Sequence, residues 1–289
     1  MPLRTVDAGF LAWAPDRRQA AGRAWCQALE TGEILYFPAS PLALSADDVA
    51  FLLRQKQASG PHHKNIAYKA APDRVTGYAG EDGQRMRAVM RRFSQSALQL
   101  LAQLLPPYRM DADCASFRGI EEQGRKLAER SRNDLLHVDS FPSRPTHGRR
   151  ILRFFVNINP AAPRVWRTGP PFPALAEQYA AGSGLLPRAL HPSLGQRLGE
   201  LGHPRPAYDR FMLAFHHWLK ANREFQSAAH PTWEFPPGSA WLCFTDTVSH
   251  AVLRGQFALE QTVMVRAEGL QAPELAPAAV FARLAARAV

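Results

Sequence analysis

The chain has 289 residues, 46% of them hydrophobic and 21% charged, which excludes a disordered chain and allows a sizeable core. Lys and Arg total 35 against 25 Asp and Glu; the net charge of +10 suggests an anionic partner, be it nucleic acid, an anionic membrane surface, or a phosphorylated or carboxylated substrate. Three scattered cysteines, Cys26, Cys114 and Cys243, give no disulfide framework and no Cys-x-x-Cys pair, and no apolar run approaches the ~20 residues of a spanning helix.

Arg4, Asp7, Asp16, Arg17 and Arg18 interrupt any secretory signal core, so a cytoplasmic protein is expected. Residues 1–110 read as an α/β segment packing on the core. Residues 17–30 are helix-like, with Gly32 as a stop. Glu33-Ile-Leu-Tyr-Phe37 is a short strand, and Ser45-Ala-Asp-Asp48 is a capping box with Asp in the place of Glu. Neighbouring residues on a strand face opposite ways, so His62-His63 is read as part of a polar loop and not as a ligand pair. Residues 81–105 form an amphipathic helix with Met86, Val89, Phe93, Ala97, Leu100, Leu101 and Leu104 on one face. Arg85, Arg87, Arg91 and Arg92 are its solvated flank, and Pro106-Pro107 ends it.

From residue 111 the character changes to strands, and residues 111–289 read as a β core with a helical insertion at about 172–225. His137-Val-Asp139 places an imidazole and a carboxylate on one face, because residues i and i+2 of a strand point the same way. The alternative is a surface His and a turn-forming Asp before Ser140-Phe-Pro142. Residues 150–158 alternate, with Leu152, Phe154, Val156 and Ile158 on one face and Ile151, Arg153, Phe155 and Asn157 on the other. An Arg in so apolar a strand either lies at an exposed edge or faces a carboxylate inside a barrel. Arg164-Val-Trp-Arg167 reads as a basic, aromatic loop; either its guanidinium groups take carboxylate or phosphate and its indole a sugar or acyl face, or the indole covers the barrel end and the two arginines are solvated. Phe211, Met212, Phe215, Trp218 and Leu219 form a core stripe, which makes His216-His217 partly buried residues and not ligands.

Strands resume at residues 232–235 and 240–244, and a turn at Thr245-Asp-Thr247 leads to His250. Two His and one carboxylate, with coordination positions left open, is the ligand set of a non-haem Fe(II) oxygenase. Such an enzyme needs a 2-oxo acid and a cation for its distal carboxylate. Residues 258–262 (Ala-Leu-Glu-Gln-Thr) lack the Arg or Lys often found about ten residues after the distal His, which leaves Arg254 and Arg153 as candidates. A C-terminal helix over residues 278–289 carries Arg283 and Arg287 and is expected to pack on the domain.

The stretch from His137-Val-Asp139 to Ile158-Asn159-Pro, the Arg164-Val-Trp-Arg167 segment, and the run from Phe235-Pro-Pro-Gly to His250-Ala-Val-Leu-Arg-Gly-Gln-Phe257 resemble the Kdo 3-hydroxylases. Gly32-Glu-Ile-Leu-Tyr-Phe-Pro38 and Lys64-Asn-Ile-Ala-Tyr68 fit the same family, so the resemblance covers nearly the whole chain. It implies a double-stranded β-helix (jelly-roll, cupin-like) of the α+β class, using Fe(II), O2 and 2-oxoglutarate. It implies hydroxylation of the 3-deoxy carbon of a Kdo sugar on lipid A or a precursor, giving Ko, in peripheral contact with the cytoplasmic face of the inner membrane. His137, Asp139 and His250 would then be the metal ligands, Arg153, Arg254 and Asn157 would serve 2-oxoglutarate, and Arg118, Arg164, Trp166 and Arg167 the anionic substrate. No nucleic acid is expected, since the basic-aromatic interleaving of single-strand binders is not evident. The rival readings are an oxygenase of the same fold acting on protein or nucleic acid, and a non-enzymatic basic protein that binds a polyanion.

Overall fold

The computed structural model describes residues 2–55, 65–200 and 204–287; the His62-His63 pair lies outside them. Along the chain run β1 (Leu3–Thr5), α1 (Pro15–Glu30), β2 (Ile34–Phe37), α2 (Ala46–Leu53), β3 (Ile66–Lys69), β4 (Arg74–Thr76), α3 (Gly83–Leu104) and β5 (Met110–Arg118). They are followed by β6 (Arg150–Asn157), β7 (Arg164–Pro171), α4 (Phe172–Tyr179), α5 (Leu185–Leu190), α6 (Leu194–Gly199), α7 (Ala207–Ala221) and α8 (Arg223–Ser227). The chain closes with β8 (Thr232–Phe235), β9 (Ala240–Phe244), β10 (Val248–Arg254), β11 (Ala258–Val265) and α9 (Pro277–Arg287). Local chemistry sets the helix starts: Ser45 and Asp82 accept hydrogen bonds from Asp48 and Arg85 N–H and so cap α2 and α3.

The strands form an eight-stranded sheet, ordered β1-β2-β9-β6-β11-β5-β3-β4, and a three-stranded sheet, β10-β7-β8. Strands from both sides of residue 110 share the large sheet. This is a double-stranded β-helix with helices on its flanks. The alternation of β6 sorts its residues: Leu152, Phe154 and Val156 face α1, α2 and α3 in the largest core, while Phe155 joins Trp241, Trp166, Phe235 and Val252 between the two sheets. A third core joins Leu136, Val138 and Ala251 to the helical insertion and α9.

β6 is paired on both edges, by β9 and β11, so of the two readings of Arg153 the exposed edge falls and the interior one, facing a carboxylate, holds. One expectation changes. Arg164-Val-Trp-Arg167 is not a loop but the start of β7, paired to β10 and β8. The arginine flank of α3 is solvated as expected and also carries surface ion pairs: Arg85 with Asp47, Arg91 with Asp73 and Arg92 with Asp48.

At the start of β6, the fully buried Arg150 donates to Asp246 at 3.0 Å and lies over the Phe244 ring at 3.9 Å. Asp246 also accepts the Ile151 N–H, which fixes the β9–β10 turn. Asp246→Ala would strand a buried guanidinium, so an urea titration is expected to show a loss of about 3–5 kcal/mol. Arg150→Met/Asp246→Leu should recover much of it; a single variant as stable as wild type would contradict this account.

Candidate metal centre

Turn geometry and strand pairing bring His137, Asp139 and His250 together. Residues 133–139 run beside β10, and His137 and His250 sit opposite each other, exchanging backbone hydrogen bonds of 3.1 and 2.9 Å. Asp139 shares the His137 face by strand parity, and its N–H donates to Thr245 O at 2.7 Å. One ligand atom from each of the three lies within 4.8 Å of the others, and all three residues are buried.

The imidazoles are oriented to ligate. His137 Nδ1 lies 2.7 Å from Leu135 O, and His250 Nδ1 lies 2.8 Å from Val248 O. A carbonyl can only accept, so each Nδ1 carries the proton and each Nε2 keeps its lone pair. Trp166 stacks on the His250 ring, 5.0 Å between centroids and 19° between planes.

Around these ligands lies a cavity of about 40 Å3, lined also by Arg118, Asn133, Arg153, Phe155, Arg164, Trp166 and Val252. Arg153 reaches Asp139 at 3.3 Å and Glu260 at 3.1 Å. Arg118 donates to Glu260 at 2.5 and 2.8 Å, and Arg164 lies 3.6 Å from Glu122 and donates to Gly255 O at 2.9 Å. Burial raises the Glu260 carboxyl, but Arg118 and Arg153 overcome that and hold it below the usual range. Burial likewise opposes the Asp139 charge, and Arg153, His137 and His250 reverse it, so that its pKa falls well below the ordinary value. Burial and Arg118 together push Arg164 down to about 10, which leaves it charged at neutral pH.

Several polar atoms of the cavity residues are left over. Asp139 Oδ2 touches Arg153 but accepts no hydrogen bond, and Arg153 Nε, Arg164 Nε and Trp166 Nε1 donate none. A buried acceptor without a partner among donors without partners suits a cation and an oxygen-rich anion bound together. The donor set of two neutral imidazoles and one carboxylate fits Fe(II).

Three sequence candidates fall outside this cavity. Arg254 pairs with Glu234 at 3.0 Å on the exposed face of the small sheet. A register shift between Val252 and Arg254 breaks the parity that would have aimed it inward. Asn157 donates to Ala162 O and Phe235 O, closing the turn after β6. Arg167 has the opposite parity to Arg164 and Trp166 on β7 and contacts Gln226 O at 3.4 Å. Sequence reasoning passed over Glu122 and Glu260. Glu260 was visible as a carboxylate in the middle of an apolar strand; Glu122 sits in an aperiodic loop and left no such mark.

Burial holds His250 down to about 3 and His217 down to about 4, and lowers His137 and His216 as well. Each is below the ~6.5 of an unfolded chain, so the unfolded state binds more protons as the pH falls. Stability of the metal-free protein is thus full above ~6.5 and lost progressively below it. The urea midpoint should fall between pH ~7.5 and ~5.5, and His250→Gln should flatten that slope; an equal slope in the variant would contradict it.

A family model described as 3-deoxy-D-manno-oct-2-ulosonic acid (Kdo) hydroxylase matches residues 12–288. The chain is also similar to the solved apo structure of the Kdo hydroxylase KdoO, a non-haem Fe(II) alpha-ketoglutarate-dependent dioxygenase, at 33% identity and a TM-score of 0.85, covering 98% of this chain and 96% of that one. It is similar to the same enzyme in complex with cobalt(II), at 33% identity and a TM-score of 0.85 over the same shares of the chains. With alpha-ketoglutarate and Fe(III) bound, the match is at 33% identity and a TM-score of 0.83, again over 98% and 96%. No curated protein sequence matches the chain.

Proposed function

We propose, from the premise that this chain belongs to the Kdo hydroxylase family, that His137, Asp139 and His250 hold Fe(II) and that the sugar hydroxylated is a Kdo carried on lipid A or its precursor. The protein is an Fe(II)/2-oxoglutarate-dependent dioxygenase acting on a Kdo-containing substrate. Bound iron supplies the redox chemistry by which O2 and 2-oxoglutarate yield succinate, CO2 and the 3-hydroxylated sugar.

The chain's own contribution is to hold charge and exclude water. Arg118, Arg153 and Arg164, with Arg125 on Glu122 at the edge, face Asp139, Glu122 and Glu260, so this cluster carries one net positive charge. A divalent cation raises it to +3, which the two carboxylates of 2-oxoglutarate and the Kdo carboxylate together neutralise. In a dry site that balance is worth far more than in water. Arg153, the cavity arginine in direct contact with Asp139, anchors the distal carboxylate of 2-oxoglutarate. Arg118 and Arg164 take the Kdo carboxylate, and Trp166 forms the wall for the sugar while shielding His250. Phe155 and Val252 keep the reacting carbon away from water.

The observation that carries this reading is the clustering of the Asp139 carboxylate and two lone-pair-bearing imidazoles within 4.8 Å, with Asp139 Oδ2 accepting no hydrogen bond, in a cavity whose arginines and indole have donors to spare. The +10 charge supports peripheral contact with an anionic leaflet, where the substrate's lipid would lie. The test supplies Fe(II), O2 and 2-oxoglutarate with Kdo-lipid A, free Kdo or lipid A lacking Kdo, and follows product mass. One added oxygen on the Kdo of the glycolipid, at the deoxy carbon, is expected. Oxidation of lipid A lacking Kdo, or stimulation by a nucleic acid and not by the glycolipid, would overturn the substrate assignment. Co-sedimentation with anionic but not neutral vesicles, lost at high salt, tests the membrane contact.

A further inference from the structure

The segment that carries His137 and Asp139 has a strand beside one edge only. On that edge it meets β10 and the turn before it: His137 and His250 exchange backbone bonds, Val252 N–H donates to Asn133 O at 2.8 Å, and Asp139 N–H donates to Thr245 O. In an antiparallel ribbon the alternate residues turn their backbone groups the other way. Here those residues are Leu136 and Val138. Among the described residues the segment's β pairing is the bridge to His250. Helices α7 and α8 stand where another strand would be.

Two side chains from those helices take up the backbone groups. Gln226 of α8 accepts the Leu136 N–H at 2.9 Å and donates to Leu136 O at 2.9 Å, so one carboxamide does what a peptide group of a neighbouring strand would do. The same Nε2 donates to Leu219 O at 2.8 Å, which ties the segment to α7. His216 of α7, itself buried, lies with Nδ1 2.7 Å from Val138 O, the carbonyl between the two ligands. Its ring stands edge-on to that of His137, 4.8 Å between centroids.

We propose that His216 and Gln226 are positioning residues of the metal centre, two helix side chains that substitute for a β-strand and fix the tilt and register of His137-Val138-Asp139. The inference rests on the metal reading given above. A strand held on one edge twists freely, whereas a metal centre needs its ligands within about 0.5 Å and 10–20° of the productive geometry. The helical insertion is then part of the metal site's construction and not merely a cover for the sheet.

Cobalt(II) is the probe, added anaerobically to the full chain and followed by its d–d absorption, with circular dichroism and thermal midpoint measured alongside. Titrations are run well below each variant's midpoint. His216→Phe keeps a ring and loses the donor; Gln226→Leu loses both backbone contacts. Each is expected to weaken Co(II) binding about 10- to 100-fold, the scale of outer-shell partners, and to shift the d–d bands. His216→Asn, whose amide N–H can stand near the Nδ1 position, should recover most of the affinity and the spectrum. Wild-type affinity and spectrum in folded His216→Phe and Gln226→Leu would overturn the inference, as would a lowered midpoint with an unchanged Co(II) site. Should His216→Phe fail to fold, Gln226→Leu decides by the same criterion. Wild-type protein that binds no Co(II), or binds it equally with His137→Ala, would overturn the metal reading as well; wild-type-like variants alone would leave that reading standing.

Discussion

Asp139→Asn should bind Fe(II) at least ~100-fold more weakly than wild type and give no measurable hydroxylation, while keeping its fold. Asparagine has the same shape, and the Asp139 N–H bond to Thr245 O belongs to the backbone. What changes is charge. Arg118, Arg125, Arg153 and Arg164 would face only Glu122 and Glu260, leaving the cluster at +2 before any cation enters. The loss of a ligand and the unfavourable field act in the same direction, and low dielectric magnifies both. Equilibrium dialysis of Fe(II) or Co(II) checks this. Binding within a few-fold of wild type would remove Asp139 from the ligand set.

Arg153→Met is expected to fail differently. The cluster then carries one positive charge fewer than in wild type, so Fe(II) binding should be no weaker than in wild type. The anchor proposed for 2-oxoglutarate is gone, and losing a buried charge-assisted pair costs roughly 2–5 kcal/mol, a rise in the 2-oxoglutarate KM of roughly 30-fold or more. Arg153 also separates Asp139 from Glu260, so a loss of about 3–5 kcal/mol in folding stability should accompany it. Steady-state kinetics at saturating Kdo substrate isolates the KM. An unchanged 2-oxoglutarate KM in a variant that still binds iron would shift the anchor to Arg118 or Arg164.

Much of this was legible because strands have a period of two. That period put His137 with Asp139 and Arg153 with Phe155, and a guanidinium in an apolar strand could be read as facing a carboxylate. Arg254 is a candidate only through its nearness to His250 in sequence; the register shift after Val252, which leaves no mark in sequence, puts it on the outer face of the small sheet. The local pattern of Arg164-Val-Trp-Arg167 suggests a loop; as a strand, its parity separates Arg164 and Trp166 from Arg167. β3 and β4 are short and owe their pairing partly to contacts with distant β5, so local pattern says little about them. In sequence His216 is one histidine in a core stripe. Its bond to Val138 O spans 78 positions and could be known only once α7 lay against the ligand segment.

The most direct test starts with anaerobic protein, Fe(II) and 2-oxoglutarate, and measures succinate when O2 is admitted, with and without Kdo-lipid A, beside a His137→Ala control shown by circular dichroism to be folded. The account predicts succinate formation strongly stimulated by the glycolipid and abolished in the variant. Turnover indifferent to the glycolipid would contradict the substrate. No iron-dependent turnover in folded wild-type protein would contradict the metal centre itself.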